Sequence, residues 1–225
     1  MSANIKPGVK KYFLSLKIIT VETEKYNYVA LKLCGILTLI YGLQVATGFN
    51  PGFNASESPF WKFFTSILGH GSLQHLLNNI FFIALFGSLL ERYTSGETFL
   101  KIFLGSALFA NFSAFIFFPT SYIIGASGGG MGIMAALAVY KPNNVGLAMG
   151  VPVPMWAALV IYILIDFAGL TAANNVANEA HLLGILAGGF VGYNLRDGEE
   201  VEETSEEFDD WEKKIREWEE KWMMK

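Results

Sequence analysis

Few residues in this chain combine a type and a setting suited to chemistry. Ser127 stands in Gly125-Ala126-Ser127-Gly128-Gly129-Gly130, at the head of an apolar run. A serine among glycines usually marks a turn or a tight helix contact. The same glycines place Ser127 at a helix N-terminus, where free backbone N–H groups can stabilise an oxyanion. His181 heads another apolar run, in Ala180-His181-Leu182-Leu183-Gly184. Alone it reads as a satisfied core or interfacial histidine; within reach of a serine hydroxyl it would be the base that activates a nucleophile. His75 and Asn79 share one helix face, four residues apart, and taken alone make an inter-helix hydrogen-bond pair.

These residues need elements to position them, and charge shows which kind. The 225 residues are 52% hydrophobic and 16% charged, with a net charge of −4 and a single cysteine, Cys34. Such apolar content excludes disorder, and one cysteine excludes a disulfide scaffold. Residues 1–25 carry net +3 and residues 196–225 net −7. Between them, 26–195 hold five basic side chains (Lys32, Lys62, Arg92, Lys101, Lys141) and five acidic ones (Glu57, Glu91, Glu97, Asp166, Glu179). Ten charges cannot solvate the surface of a soluble fold of that size, so the middle block reads as a polytopic membrane core.

Apolar runs fall at about 28–47, 76–90, 99–118, 127–140, 153–170 and 181–195, which predicts six spans. A span needs about 20 residues, so the second, fourth and sixth runs are short. A short helix survives inside a bundle or at the floor of a water-filled cavity. The loops after the second and fourth runs carry Arg92, Lys101 and Lys141, and five lysines precede the first run. This bias predicts that both termini lie in the cytoplasm. No cleavable signal is read, because the stretch from Tyr12 is interrupted by Lys17. The three even-numbered spans then all enter from outside, which sets His75, Ser127 and His181 at similar depth.

Small residues predict which spans touch. Gly128 and Gly132 lie four apart in the fourth run; Gly184, Gly188 and Gly192 repeat that spacing in the sixth. Small residues at this spacing let two backbones approach closely. Such a crossing would bring the His181 ring within hydrogen-bond reach of the Ser127 hydroxyl.

Gly125-Ala126-Ser127-Gly128, Ala180-His181-Leu182-Leu183-Gly184 and His75-Leu76-Leu77-Asn78-Asn79 together resemble the rhomboid intramembrane serine proteases. Glu91-Arg92 and Trp61-Lys62 are similar to that family's pairs after the second span and in the first loop. The resemblance covers roughly 48–195. It implies a Ser–His dyad without a carboxylate, with Ser127 as nucleophile and His181 as general base and then acid. It implies that His75, Asn79 and the Ser127 backbone N–H donate to the oxyanion, and that spans two and five form a lateral entry for a substrate helix. Gly125, Gly128, Met131 and Gly184 would support the site structurally.

Two positions depart from the family. Met131 stands where many members carry tyrosine packed on the histidine, and Lys62 replaces arginine after Trp61. Sulfur and methylene contact replaces a ring stack, and a point charge replaces a planar fork.

Other features sit outside this pattern. Asp166, inside the fifth run near its outer end, is expected to face water, a polar neighbour or the cavity mouth, in a structural rather than a catalytic role. His70 is expected to be a solvated or interfacial loop residue. Asn54-Ala55-Ser56 fits a glycosylation tripeptide, a frequent chance occurrence. The 48–74 loop is rich in Pro51, Gly52, Pro59, Phe60, Trp61, Phe63 and Phe64. Its composition leaves an ordinary loop with an aromatic belt and an embedded structural hairpin equally open. In the acidic tail, Phe208, Trp211, Ile215, Trp218 and Trp222 form one stripe at helical spacing. Opposite charges predict that this stripe lies at the cytoplasmic interface or docks on the basic N-terminal segment.

The expected protein is all-α: a six-transmembrane-helix rhomboid-like bundle whose short fourth helix carries the nucleophile. Residues 1–27 form a basic cytoplasmic segment, 28–195 the protease core and 196–225 an acidic amphipathic tail. Its expected function is intramembrane serine endopeptidase, in the cell membrane, multi-pass, with the site toward the outer side. The substrates are transmembrane proteins met in the lipid bilayer; no nucleic acid, cofactor or metal is expected, since His70, His75 and His181 form no zinc-ligand pattern. The alternatives are a catalytically inactive rhomboid-like client-binding protein and a small transporter. Both Ser127 and His181 are present, against the first; intramembrane charge and internal repeats are lacking, against the second.

Overall fold

The computed structural model describes residues 26–117, 120, 122–170 and 178–196, with 213 and 217. The basic segment 1–25 and the stripe from Phe208 to Trp222 lie outside the described residues.

Helix α1, Val29–Thr47, has no side-chain cap of its own. The Glu91 carboxylate supplies one from a distant helix: Val29 and Ala30 donate their N–H groups to its two oxygens at 2.9 and 3.0 Å. Those N–H groups have no partner within α1. Gly48, at φ 70°, closes the other end.

Helix α2 runs Leu73–Tyr93. The Ser72 hydroxyl caps it by accepting the His75 N–H at 3.1 Å. Its middle widens into a π turn over Ile83–Gly87. The second run is therefore not short, contrary to expectation. The helix continues three residues beyond 76–90 at each end, through Gln74, His75, Glu91 and Arg92, polar residues that a hydropathy run does not count. The sixth run is lengthened in the same way, into α6 over 178–196.

Helix α3, Gly96–Phe117, packs along α4, Ser127–Tyr140. Every residue of α4 from Gly128 to Ala138 is buried. That position explains how 14 residues suffice: the helix is solvated by protein on all sides and need not match a bilayer.

An expectation of purely helical structure fails between α4 and α5. Strands β1 (Val145–Ala148) and β2 (Val151–Pro154) pair antiparallel. Met149 and Gly150 connect them at φ 52° and 81°, the left-handed pair that a two-residue hairpin turn requires. Methionine is an unusual residue there, which is why the turn is not legible. Pro152 and Pro154 sit in the second strand, tolerated because a two-stranded ribbon has free edges. Helix α5, Met155–Gly169, follows directly.

The core gathers Leu37, Leu76, Ile83, Phe86, Phe99, Phe103, Ile133 and Met134 around α4. The outward faces are also apolar: Leu39 and Leu43 on α1, Leu164 and Phe167 on α5, and Leu186 and Phe190 on α6 are all exposed. Helices α1, α2 and α3 are each long and apolar enough to cross a membrane. Helices apolar on every side are suited to lipid rather than to water.

Candidate active site

The segment entering α4 is held at two points. Phe53 and Ile123 exchange backbone hydrogen bonds at 2.8 Å. Two residues later, the Gly125 N–H donates to the Ser66 carbonyl at 2.8 Å. Ser66 is itself fixed by α3: Asn111 Nδ2 donates to its hydroxyl at 3.0 Å and to the Phe63 carbonyl at 2.7 Å. The 48–72 loop is thus an ordered clamp, with Phe53 and Phe63 buried edge to face. Trp61 of this loop stacks on Phe49, and Lys62 lies over the Trp61 ring.

The clamp delivers Ser127 as the first residue of α4, partly exposed, with the free N–H groups of a helix start around it. Gly125 takes φ 127°, which disfavours any side chain. A β-carbon there would stand 2.7 Å from His75 Nε2 and 3.7 Å from Asn79 Nδ2. His75 and Asn79 therefore converge on the backbone two residues before Ser127. Asn79 spends one amide hydrogen on the His75 carbonyl at 3.1 Å, which leaves the other for a ligand.

The predicted crossing of α4 and α6 is present. β-carbons on Gly184, Gly188 and Gly192 would overlap the carbonyls of Gly128, Gly132 and Ala136 in turn. The third contact, with alanine rather than glycine in α4, extends the expected face by one turn. A β-carbon on Gly128 would lie 2.9 Å from Ala110 of α3 and 3.7 Å from the Ala180 carbonyl. The residues adjoining Gly128 and Ala180 are Ser127 and His181. Met131 is buried in the core of the same helix.

His181 does not make the expected bond. Among the described residues, no hydrogen bond joins its ring to the Ser127 hydroxyl. Its Nδ1 instead lies 2.9 Å from Asp166 Oδ1. Asp166 is 3% exposed, and its Oδ2 has no hydrogen-bond partner. The polar neighbour expected for Asp166 is thus the histidine of the site itself. Sequence order hid this pairing because the two residues lie on different helices. Nearby, Gly169 of α5 lies so close to Asn178 that a β-carbon would meet its side chain.

His70 corrects another expectation. It is 2% exposed rather than solvated. The Gln44 side chain grips its backbone from both sides, at 3.0 and 3.1 Å. Neither ring nitrogen has a hydrogen-bond partner, and the ring meets His75 edge to face at 5.1 Å between centroids. Burial, and after it a charge on His75, push its imidazole down from 6.5 to about 4. It stays neutral behind His75.

Asn54 uses its amide structurally, donating to the Thr120 carbonyl at 3.0 Å and accepting the Ser56 N–H at 2.9 Å. No group of three His, Cys, Asp or Glu residues that could hold a metal ion occurs among the described residues.

The arrangement can support acyl transfer. It offers a hydroxyl at a helix start, an imidazole oriented by a carboxylate, and two side-chain donors beside the same backbone. Residues 57–197 match the Rhomboid domain family. Rhomboid protease GluP of Bacillus subtilis (strain 168) is 26% identical over 175 residues, covering 75% of this chain and 34% of that protein. The chain thus spans about a third of the length of that curated relative.

Proposed function

The chain belongs to the rhomboid family, and from that premise we propose that it is an intramembrane serine endopeptidase. It cleaves peptide bonds in or near transmembrane segments of other membrane proteins. The observation that supports this reading is the glycine-on-glycine crossing of buried α4 with α6, in which Ser127 and His181 belong to helices packed backbone to backbone.

Ser127 Oγ attacks the scissile carbonyl and His181 takes its proton. The tetrahedral oxyanion is met by the Ser127 backbone N–H and by His75 and Asn79. His181 then protonates the leaving amine, and water hydrolyses the acyl-enzyme with the same histidine as base. The absent Ser127–His181 hydrogen bond is compatible with this sequence of steps, since such bonds are often long without substrate and tighten in its presence.

The core spans the bilayer six times over 28–195, with both termini in the cytoplasm and the site toward the outer side. The lysine and arginine bias of the loops supports that orientation. Residues 1–27 and 196–225 are the basic and acidic cytoplasmic flanks.

The test is cleavage of a single-span substrate in proteoliposomes by the full chain, Ser127→Ala and His181→Ala. Cleavage should be lost in both variants. Undiminished cleavage by Ser127→Ala would overturn the reading.

A further inference from the structure

We propose that Asp166 is a positioning residue for His181, so that the site works as a Ser–His–Asp triad built across three helices. This rests on the reading of Ser127 and His181 given above.

The carboxylate is in an unusual place. It lies inside an apolar helix, buried, in a segment where an unpaired charge is expensive. Charged groups persist there when they are paired, and the partner here is His181 Nδ1 at 2.9 Å.

The geometry has a chemical consequence. An imidazole that donates Nδ1–H to a carboxylate must carry its lone pair on Nε2. Nε2 is therefore the acceptor, which a general base needs. Without the carboxylate the ring is free to adopt the other tautomer, which cannot accept the serine proton. When Nε2 becomes protonated, the same carboxylate stabilises the imidazolium and need not take up the proton itself.

The pairing also fixes the ring between two elements. Asp166 projects from α5, four residues before the point where Leu170 closes that helix on the Asp166 carbonyl at 3.1 Å. His181 projects from the first turns of α6. Asp166 Oδ2 has no competing hydrogen bond among the described residues, so the carboxylate is committed to the histidine.

The experiment compares the full chain with Asp166→Asn, Asp166→Glu, Ser127→Ala and His181→Ala in proteoliposomes, with kcat and KM resolved separately. Asp166→Asn is expected to lower kcat on the order of 10²-fold or more with KM nearly unchanged, because the amide fits the same space but stabilises the wrong tautomer. Asp166→Glu should recover part of that loss. Wild-type kcat in Asp166→Asn, with Ser127→Ala and His181→Ala dead, overturns this proposal and leaves the protease reading intact. Undiminished cleavage in Ser127→Ala overturns both. A second measurement does not depend on the variants folding: nitrogen-15 histidine NMR of the wild-type chain. Neutral His181 protonated on Nδ1 supports the proposal, and protonation on Nε2 overturns it.

Discussion

Gly184 of α6 rests directly on the carbonyl of Gly128 in α4, so close that no β-carbon could stand between them. Gly188 rests on Gly132 in the same way one turn further along. The site's two halves are carried by the two helices that make this contact, so their separation is set by the absence of side chains.

Gly184→Val should therefore force the helices apart. The expected cost is about 1–3 kcal/mol of stability, the range for overpacking a tight interface. Activity should fall further than stability, because Ser127 and His181 separate. Thermal unfolding in detergent and cleavage rate measured on the folded fraction distinguish the two effects. Activity per folded molecule equal to wild type would show that the crossing does not set the site.

Asn79→Ala and His75→Ala should each lower kcat by on the order of 10²-fold, as removal of an oxyanion donor does. KM should change little, because the ground-state carbonyl needs these donors less than the tetrahedral intermediate does. A pure rise in KM for either variant would assign that side chain to substrate binding instead.

Glu91→Ala should destabilise the protein by about 2–4 kcal/mol, since it leaves the half-buried Val29 N–H and the buried Ala30 N–H without acceptors. Glu91→Gln keeps one acceptor and should lose less. Neither should alter kcat of the folded enzyme, because Glu91 caps α1 at the opposite end of α2 from His75. Thermal melts of the three proteins side by side check this.

His70 should make stability depend on pH. Its folded value of about 4 lies below the 6.5 of the unfolded chain. Between those values the unfolded chain binds a proton that the folded chain refuses. Stability is therefore full above 6.5, falls progressively as the pH drops toward 4 and levels below it, by about 3 kcal/mol in total. His70→Phe removes this titration and keeps a ring against His75. Melting curves of wild type and variant should diverge across that window; parallel curves would rule out a buried neutral His70.

The polar residues of the candidate site stand out because polarity is rare in so apolar a chain. Ser127 and His181 head apolar runs, His75 directly precedes one and Asn79 interrupts it, and their order and spacing resemble a known pattern. The glycine face between α4 and α6 was legible for a similar reason: small residues four apart have few other uses in a membrane helix. The β1–β2 hairpin was hidden by Met149, which takes a left-handed turn position that local preference assigns to glycine or asparagine. The true length of α2 was hidden because its ends are polar, and hydropathy stops where a helix need not.

Local pattern in the sequence determined the apolar helices, the helix start at Ser127 and the small-residue face that brings α4 and α6 together. Those are local properties, set by periodicity, propensity and side-chain size. Which groups meet was decided only by the tertiary structure. Asp166 reaches His181 from another helix, Glu91 caps α1 from the far end of α2, and His70 is buried behind His75 by the grip of Gln44. Hydrogen bonds between distant residues depend on angle and distance to a fraction of an ångström, and a linear sequence carries neither until its helices are packed.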